Sequence, residues 1–350
     1  MKMAENTFFG EIHKELDAKM SPFGKWNMPL FYPGGSVAEH RHTRAEASVF
    51  DMSGARIFQL TGQNAAEVLD EILLYDASDI AVGNCMKNIL LHDNGTFAAM
   101  FTLCRMQEND FMLLTEAGLP EKEVVYLTGT LSKKLEVREL SEAMAHLAVI
   151  GQKSAELLFA AGAENLPENG HWAMITLKDD EDDEFRCIAI GRDRFGERGF
   201  ELCCNAAVAL EVYGALYRIN GMAPAGMQAL ESLRIESGEP GIPAELNESI
   251  FPQECGMIPE MSGKFTGRES LLKKDDFRKL VTIELERHPA LPGSAVTCGD
   301  SQIGIVTSGA FCPSVACARN LCLLDAGCAV GSGDTVTCYV NGKNVSATVL

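Results

Sequence analysis

ALESLRIESGEPGIPAELNESIFPQECG, residues 229–256, joins two stretches with different physics. In 229–236, Leu230 and Leu233 lie three apart with Ala229 alongside, the spacing of one helix face. Gly238 is a natural stop, since glycine adopts the left-handed conformation past a helix end without steric cost. The remainder cannot continue as helix, because Pro240, Gly241, Pro243 and Pro252 interrupt it. That broken segment still carries Ile242, Leu246, Ile250 and Phe251, which favour burial, and Glu245, Glu248 and Glu254, which need partners. An irregular segment holding both is either an ordinary packed loop or the wall of a site, and the residues alone leave both open.

The bulk numbers bound what surrounds it. With 350 residues, 46% of them hydrophobic, the chain is long enough for two or three domains. A net charge of −19 argues against nucleic acid or an anionic membrane as the main partner. The locally basic stretches 40–44, 192–198 and 264–274 read by default as solvated faces. No apolar run approaches the length of a membrane span, and the first ten residues lack a secretory apolar block, so a cytoplasmic protein is expected. Twelve cysteines occur without a CxxC pair, and Cys203 and Cys204 are adjacent. They are expected to be small buried hydrophobes in a reducing compartment, with no metal site.

Along the chain, residues 5–20 read as an amphipathic helix ending before Ser21-Pro22. A second helix is expected over 36–47 with Ser36 as its N-cap, presenting His40 and Arg44 four apart on one face. Strands are expected over 56–61, 88–93, 96–105 and 111–115, with Asp93-Asn94-Gly95 as a hairpin turn. Helices follow over 64–74 and 120–131, then a strand over 147–150 and a helix over 153–160. An acidic tip at 179–184 precedes strands over 185–190 and 199–203 and a helix over 206–220. After Lys274 six short strands separated by Gly, Pro or Asp indicate a compact β module, barrel or sandwich. The fold class is α+β.

No phosphate-cradling glycine loop, HExxH or GxSxG occurs. What remains is a set of charged residues in apolar surroundings: Glu116 at a strand end, Glu201 inside a strand and Arg234 on the short helix.

Several stretches, taken in order, resemble the glycine-cleavage T-protein family of folate-dependent aminomethyltransferases. They are MPLFY (28–32), Glu39-His40 with Arg44, FDMS (50–53), GERGFE (196–201), SLRIE (232–236), Glu245-Leu246, PQECG (252–256), KFTGRESL (264–271) and VTSGAFCPS (306–314). The resemblance implies a three-domain ring around a folate channel. Its first domain would take residues 1–50 with 141–225, its second 51–140 with 226–275, and a C-terminal β domain 276–350. It further implies tetrahydrofolate as cofactor, with Glu201 and Arg234 at the positions that hold the pterin and Phe195 as the nearby aromatic. It also implies an aminomethyl donor on a lipoyl carrier protein. In such a reaction folate N5 attacks the aminomethyl carbon, ammonia leaves and methylenetetrahydrofolate forms.

The departures bear on chemistry. Where the family carries an Asp-Asp pair, the matching positions are read as Ala98 and Ala99, and alanine transfers no proton. A hairpin turning near Gln107-Glu108 would place Ala99 roughly opposite Glu116, so Glu116 is the candidate for the lost carboxylate. These departures admit two alternatives, a folate-dependent demethylase acting on an O-, S- or N-methyl compound and a folate-binding protein without catalysis. An acidic carrier protein would need a local basic face, with Lys264, Arg268, Lys273 and Lys274 as candidates.

Overall fold

The computed structural model describes residues 4–257 and 263–350. Three large sheet units organise them, beside a small three-stranded sheet near the N-terminus. The first is a six-stranded sheet with the spatial order Trp172–Lys178, Glu184–Gly191, Gly199–Asn205, Met144–Ile150, Ala47–Asp51 and Met222–Pro224. Its pairs are antiparallel except the last, which is parallel. One face packs on helices Ser154–Ala160 and Ala209–Tyr217 around Val49, Leu147, Leu202 and Leu216.

The second is a five-stranded antiparallel sheet in the order Cys85–Leu91, Phe97–Gln107, Asp110–Thr115, Ile57–Thr61 and Glu136–Glu139. Helices Ala65–Asp70 and Glu121–Leu131 cover one face through Leu69, Leu127, Phe101 and Leu113. The hairpin turn falls where Asp93-Asn94-Gly95 predicts, with Gly95 at φ 87°, a region glycine enters freely. The third unit is a closed six-stranded barrel spanning Lys279–Leu285 to Lys343–Val349, which decides between barrel and sandwich.

The N-terminus corrects the sequence reading. Its helix covers only Gly10–Glu15. The apolar repeat Phe9, Ile12 and Leu16 is real, but Asp17 takes φ 52° and ends the helix. Residues beyond it form the strand Lys19–Phe23, which turns at Gly24 and pairs with Trp26–Phe31. Pro22 is tolerated there because that strand lies at a sheet edge. The next helix is Ser36–Ala45, and its N-cap is Gly35 rather than Ser36. Each of the twelve cysteines is a free thiol, and most are buried. Among the described residues no helix is long and apolar enough to cross a membrane.

The quoted stretch ties the units together. Its helix is Met227–Glu236, ended by Gly238 at φ 73°. Leu233 and Ile235 are fully buried, each contributing about 1.5–3 kcal/mol by leaving water. The helix packs on Ser36–Ala45 and on the barrel strand Ser301–Cys312. Buried His40 clamps this junction: Nδ1 bonds Ser232 Oγ at 2.7 Å, and Nε2 meets Ser314 Oγ at 2.8 Å and Glu236 at 3.1 Å. Arg44, four residues on, reaches the same Glu236 carboxylate at 2.8 Å. Glu39 accepts from the Gly226 N–H at 2.9 Å. The signature residues Glu39, His40 and Arg44 therefore hold elements in place.

Candidate functional site

The first two sheets and the 227–246 segment enclose a cavity of about 130 Å³. The turn leaving Glu184–Gly191 contributes Arg192, Arg194 and Phe195. The second sheet contributes Lys87, Met100 and Glu116. The helix and its broken sequel contribute Leu230, Arg234, Gly241 and Ile242. The walls are thus apolar surfaces interrupted by charges, the usual character of a small-molecule site.

Arg234 is consumed by its own surroundings. Its Nε donates to Glu231 at 2.8 Å. Its Nη1 donates to the Glu239 carbonyl at 2.6 Å and to Glu245 at 3.0 Å. Its Nη2 donates to Glu231 at 2.7 Å and to Ser308 Oγ at 3.0 Å. A guanidinium has five N–H donors, and all five are used. Glu245, 1% exposed, also accepts from the Gly241 N–H at 2.9 Å and from the Ser308 hydroxyl. Gly241 is required because a Cβ there would lie 2.8 Å from Arg234 Nε and Cζ. This network fixes the irregular loop as a wall. Glu254 lies beyond that wall, where it accepts from Arg278 Nε at 2.8 Å and Nη2 at 2.9 Å. Exposed Glu248 pairs with Lys122.

The opposite wall is a four-membered charge cluster. Glu201 is 2% exposed and bonds His146 Nε2 at 2.6 Å, Arg194 Nε at 3.3 Å and Arg192 Nη1 at 3.4 Å. Burial alone would raise its carboxyl, but Arg194 and His146 outweigh that and hold it down at about 2. Glu116 takes both arginines from the other side, pairing with Arg192 and with Arg194 Nη2 at 2.6 Å. Burial again opposes ionisation, yet Arg192, Arg194 and Lys87 hold Glu116 far below the usual carboxylate range. Two guanidiniums against two carboxylates make the cluster neutral. Glu201 stands behind it and does not itself line the cavity.

Phe195 sits at the cavity with φ 56°, its N–H donating to Glu239 at 2.9 Å and the Arg194 guanidinium 5.6 Å from its ring. The strand hairpin departs from the register expected for Glu116. Phe101 pairs with Thr115, so the Glu116 N–H reaches the Met100 carbonyl at 3.2 Å, not Ala99. One residue along a strand reverses the face. Ala98 and Ala99 both lie in the core beneath the helices, a β-bulge opposite Leu90 and Leu91 having placed them there together. The residue this strand offers to the cavity is Met100.

Sequence reasoning missed Lys87, Arg192 and Arg194. Arg192 and Arg194 were passed over as part of a solvated basic stretch, although their i,i+2 spacing in a strand-like turn puts them on one face. A lysine inside the Cys85–Leu91 strand, whose other residues except Asn88 are apolar, was the signal for Lys87.

Two α/β units flank a charged internal cavity, and a closed barrel braces the segment that forms its third wall. The chain belongs to the glycine cleavage T-protein family: residues 9–260 match the GCVT N-terminal domain and residues 278–350 the glycine cleavage T-protein C-terminal barrel domain. It is 31% identical over 342 residues to an aminomethyltransferase of Deinococcus deserti, covering 96% of this chain and 92% of that one. It is 30% identical over 318 residues to an aminomethyltransferase of Aquifex aeolicus, covering 90% and 85%. The crystal structure of glycine cleavage system aminomethyltransferase T from Bartonella henselae superposes with a TM-score of 0.87 at 26% identity, covering 99% of this chain and 96% of that one.

Proposed function

We propose that the protein is a tetrahydrofolate-dependent aminomethyltransferase whose central cavity takes the reduced pterin. The observation that carries this reading is the near end-to-end match to aminomethyltransferases combined with the cavity between the two α/β units. The same relatives favour aminomethyl transfer over the demethylase and non-catalytic alternatives. Apolar Met100, Phe195, Leu230 and Ile242 suit the faces of a flat ring.

In this reading Arg234 and Glu201 are positioning residues. Arg234 holds the 239–245 wall, and Glu201 holds Arg192 and Arg194. Glu116 is a fixed anion that keeps both guanidiniums in place, since a carboxyl ionised so far below neutral pH is a weak base. Among the described residues the other carboxylates lining the cavity are Glu231 and Glu239, engaged by Arg234 and the Phe195 N–H. The reading therefore assigns proton transfer to the substrates or solvent rather than to a side chain at Ala98 or Ala99.

The donor would be an aminomethyl group on a lipoyl carrier protein, docking at a basic face. Of the candidates for that face, Lys274 already lies over Phe251 and Phe277, at 5.0 and 5.5 Å. A cytoplasmic setting fits the free thiols. The test is calorimetric titration with tetrahydrofolate, then mass spectrometry of the folate product with an aminomethyl-lipoyl carrier. Methylenetetrahydrofolate supports the reading, and a methyl-transfer product instead would replace it with the demethylase.

A further inference from the structure

Lys87 and Arg192 stand between the central cavity and a second one of about 340 Å³, and line both. The second cavity lies between the Cys85–Leu91 strand, residues 169–170 and the turn at 190–193. Its polar lining is incompletely partnered. Thr102, directly across from Lys87 in the sheet, is 4% exposed, yet its hydroxyl has no hydrogen-bond partner. Arg192 is 8% exposed; Nη1 and Nη2 serve Glu201 and Glu116, and Nε is left without an acceptor. Lys87 is exposed at the rim of this cavity and, among the described residues, makes no hydrogen bond or ion pair. A buried donor without an acceptor costs about 1–3 kcal/mol, so a site holding two of them beside a free cation is built for something absent.

Charge identifies what is absent. The Glu116–Arg192–Arg194–Glu201 cluster is balanced, so Lys87 is a cation at the second cavity left without an ion-pair partner. Asp193 on the rim disfavours a dianion such as phosphate. One monoanion with two acceptor oxygens matches one ammonium, one N–H and one hydroxyl.

We propose that the second cavity is a carboxylate subsite, in which Lys87, Arg192 Nε and the Thr102 hydroxyl hold one carboxylate of the ligand entering the central cavity. The central site's reading as a folate enzyme bears only on the source of that carboxylate: the glutamate tail of the folate, or a small one-carbon donor that carries its own. Desolvation and the Arg192 and Arg194 guanidiniums pull the Lys87 ammonium below its ordinary value, against Glu116 and Glu239. A bound carboxylate pairs with the Lys87 ammonium, so binding weakens as pH rises and Lys87 loses its charge.

The test uses the full chain, wild type against Lys87→Met, Lys87→Arg and Thr102→Val. Three probes are titrated by calorimetry: tetrahydrofolate, 6-methyltetrahydropterin, which has no carboxylate, and propionate, the last with and without the pterin. If Lys87→Met weakens tetrahydrofolate at least tenfold and spares the tetrahydropterin, the subsite holds the folate tail. If it weakens only propionate, the subsite serves a small donor. In either case Lys87→Arg restores most of the affinity and Thr102→Val lowers it several-fold. Lys87-dependent propionate binding in a protein that binds neither pterin would keep the subsite and remove the folate reading. Unchanged affinity for both carboxylate probes in Lys87→Met, or an equal loss of the tetrahydropterin, overturns the proposal.

Discussion

Glu201 and Glu116 sit on opposite sides of the same two arginines, and this decides what their substitution does. Glu201→Gln leaves Arg192 and Arg194 under-compensated in a buried place, and should destabilise the fold by about 3–5 kcal/mol in urea unfolding. The pH dependence follows from the same pair. Glu201 sits at about 2 when folded, against about 4.3 for a free glutamate, so its contribution is complete above about pH 5. That contribution is lost as pH falls towards 2, and the acid limb of wild-type stability should flatten in Glu201→Gln. Glu116→Gln should weaken ligand binding without removing a limb from the pH profile of kcat/KM, because Glu116 stays ionised throughout the working range. A lost acidic limb would make Glu116 the proton-transferring group after all. Gly241→Ala forces a methyl against the Arg234 guanidinium and should cost about 1–3 kcal/mol, with reduced affinity for whatever the cavity binds.

At the scale of elements, local signals were legible where they sufficed. The Asp93-Asn94-Gly95 turn and the strands of the terminal barrel followed from turn residues and alternation. The N-terminal helix was over-read because the repeat Phe9, Ile12, Leu16 does not reveal that Asp17 adopts a left-handed backbone. The strand Glu136–Glu139 was missed because it is polar and pairs at a sheet edge, where burial imposes no pattern. Arg234 and Glu201 could be singled out by type and context. The pairing of Glu116 with Arg192 could not, since the two are 76 residues apart in sequence and meet only when two sheets pack. The bulge in Phe97–Gln107 was likewise invisible, and it decides which residue faces the cavity. Ala99→Asp should bury an unpaired carboxylate in the core and lower Tm sharply, whereas Met100→Asp faces the charged cavity and should lower it much less. Equal losses of Tm would show that the faces are assigned wrongly.

For the molecule as a whole, the segment that opens as an interrupted helix is the joint of the structure. Its helix presses on the barrel and on Ser36–Ala45, and its loop is locked by Arg234 and Glu245 against Ser308 of the barrel. The central cavity therefore has one wall from each α/β sheet and one held in place by the barrel. Such a site is assembled only in the folded whole, and its ligand should stabilise all three units together. The central claim is that this cavity binds reduced folate, and calorimetric titration of the full chain with tetrahydrofolate tests it most directly. Saturable one-to-one binding, weakened by Gly241→Ala and accompanied by a higher Tm in a single transition, is the expected result. Absence of binding at millimolar tetrahydrofolate would contradict it.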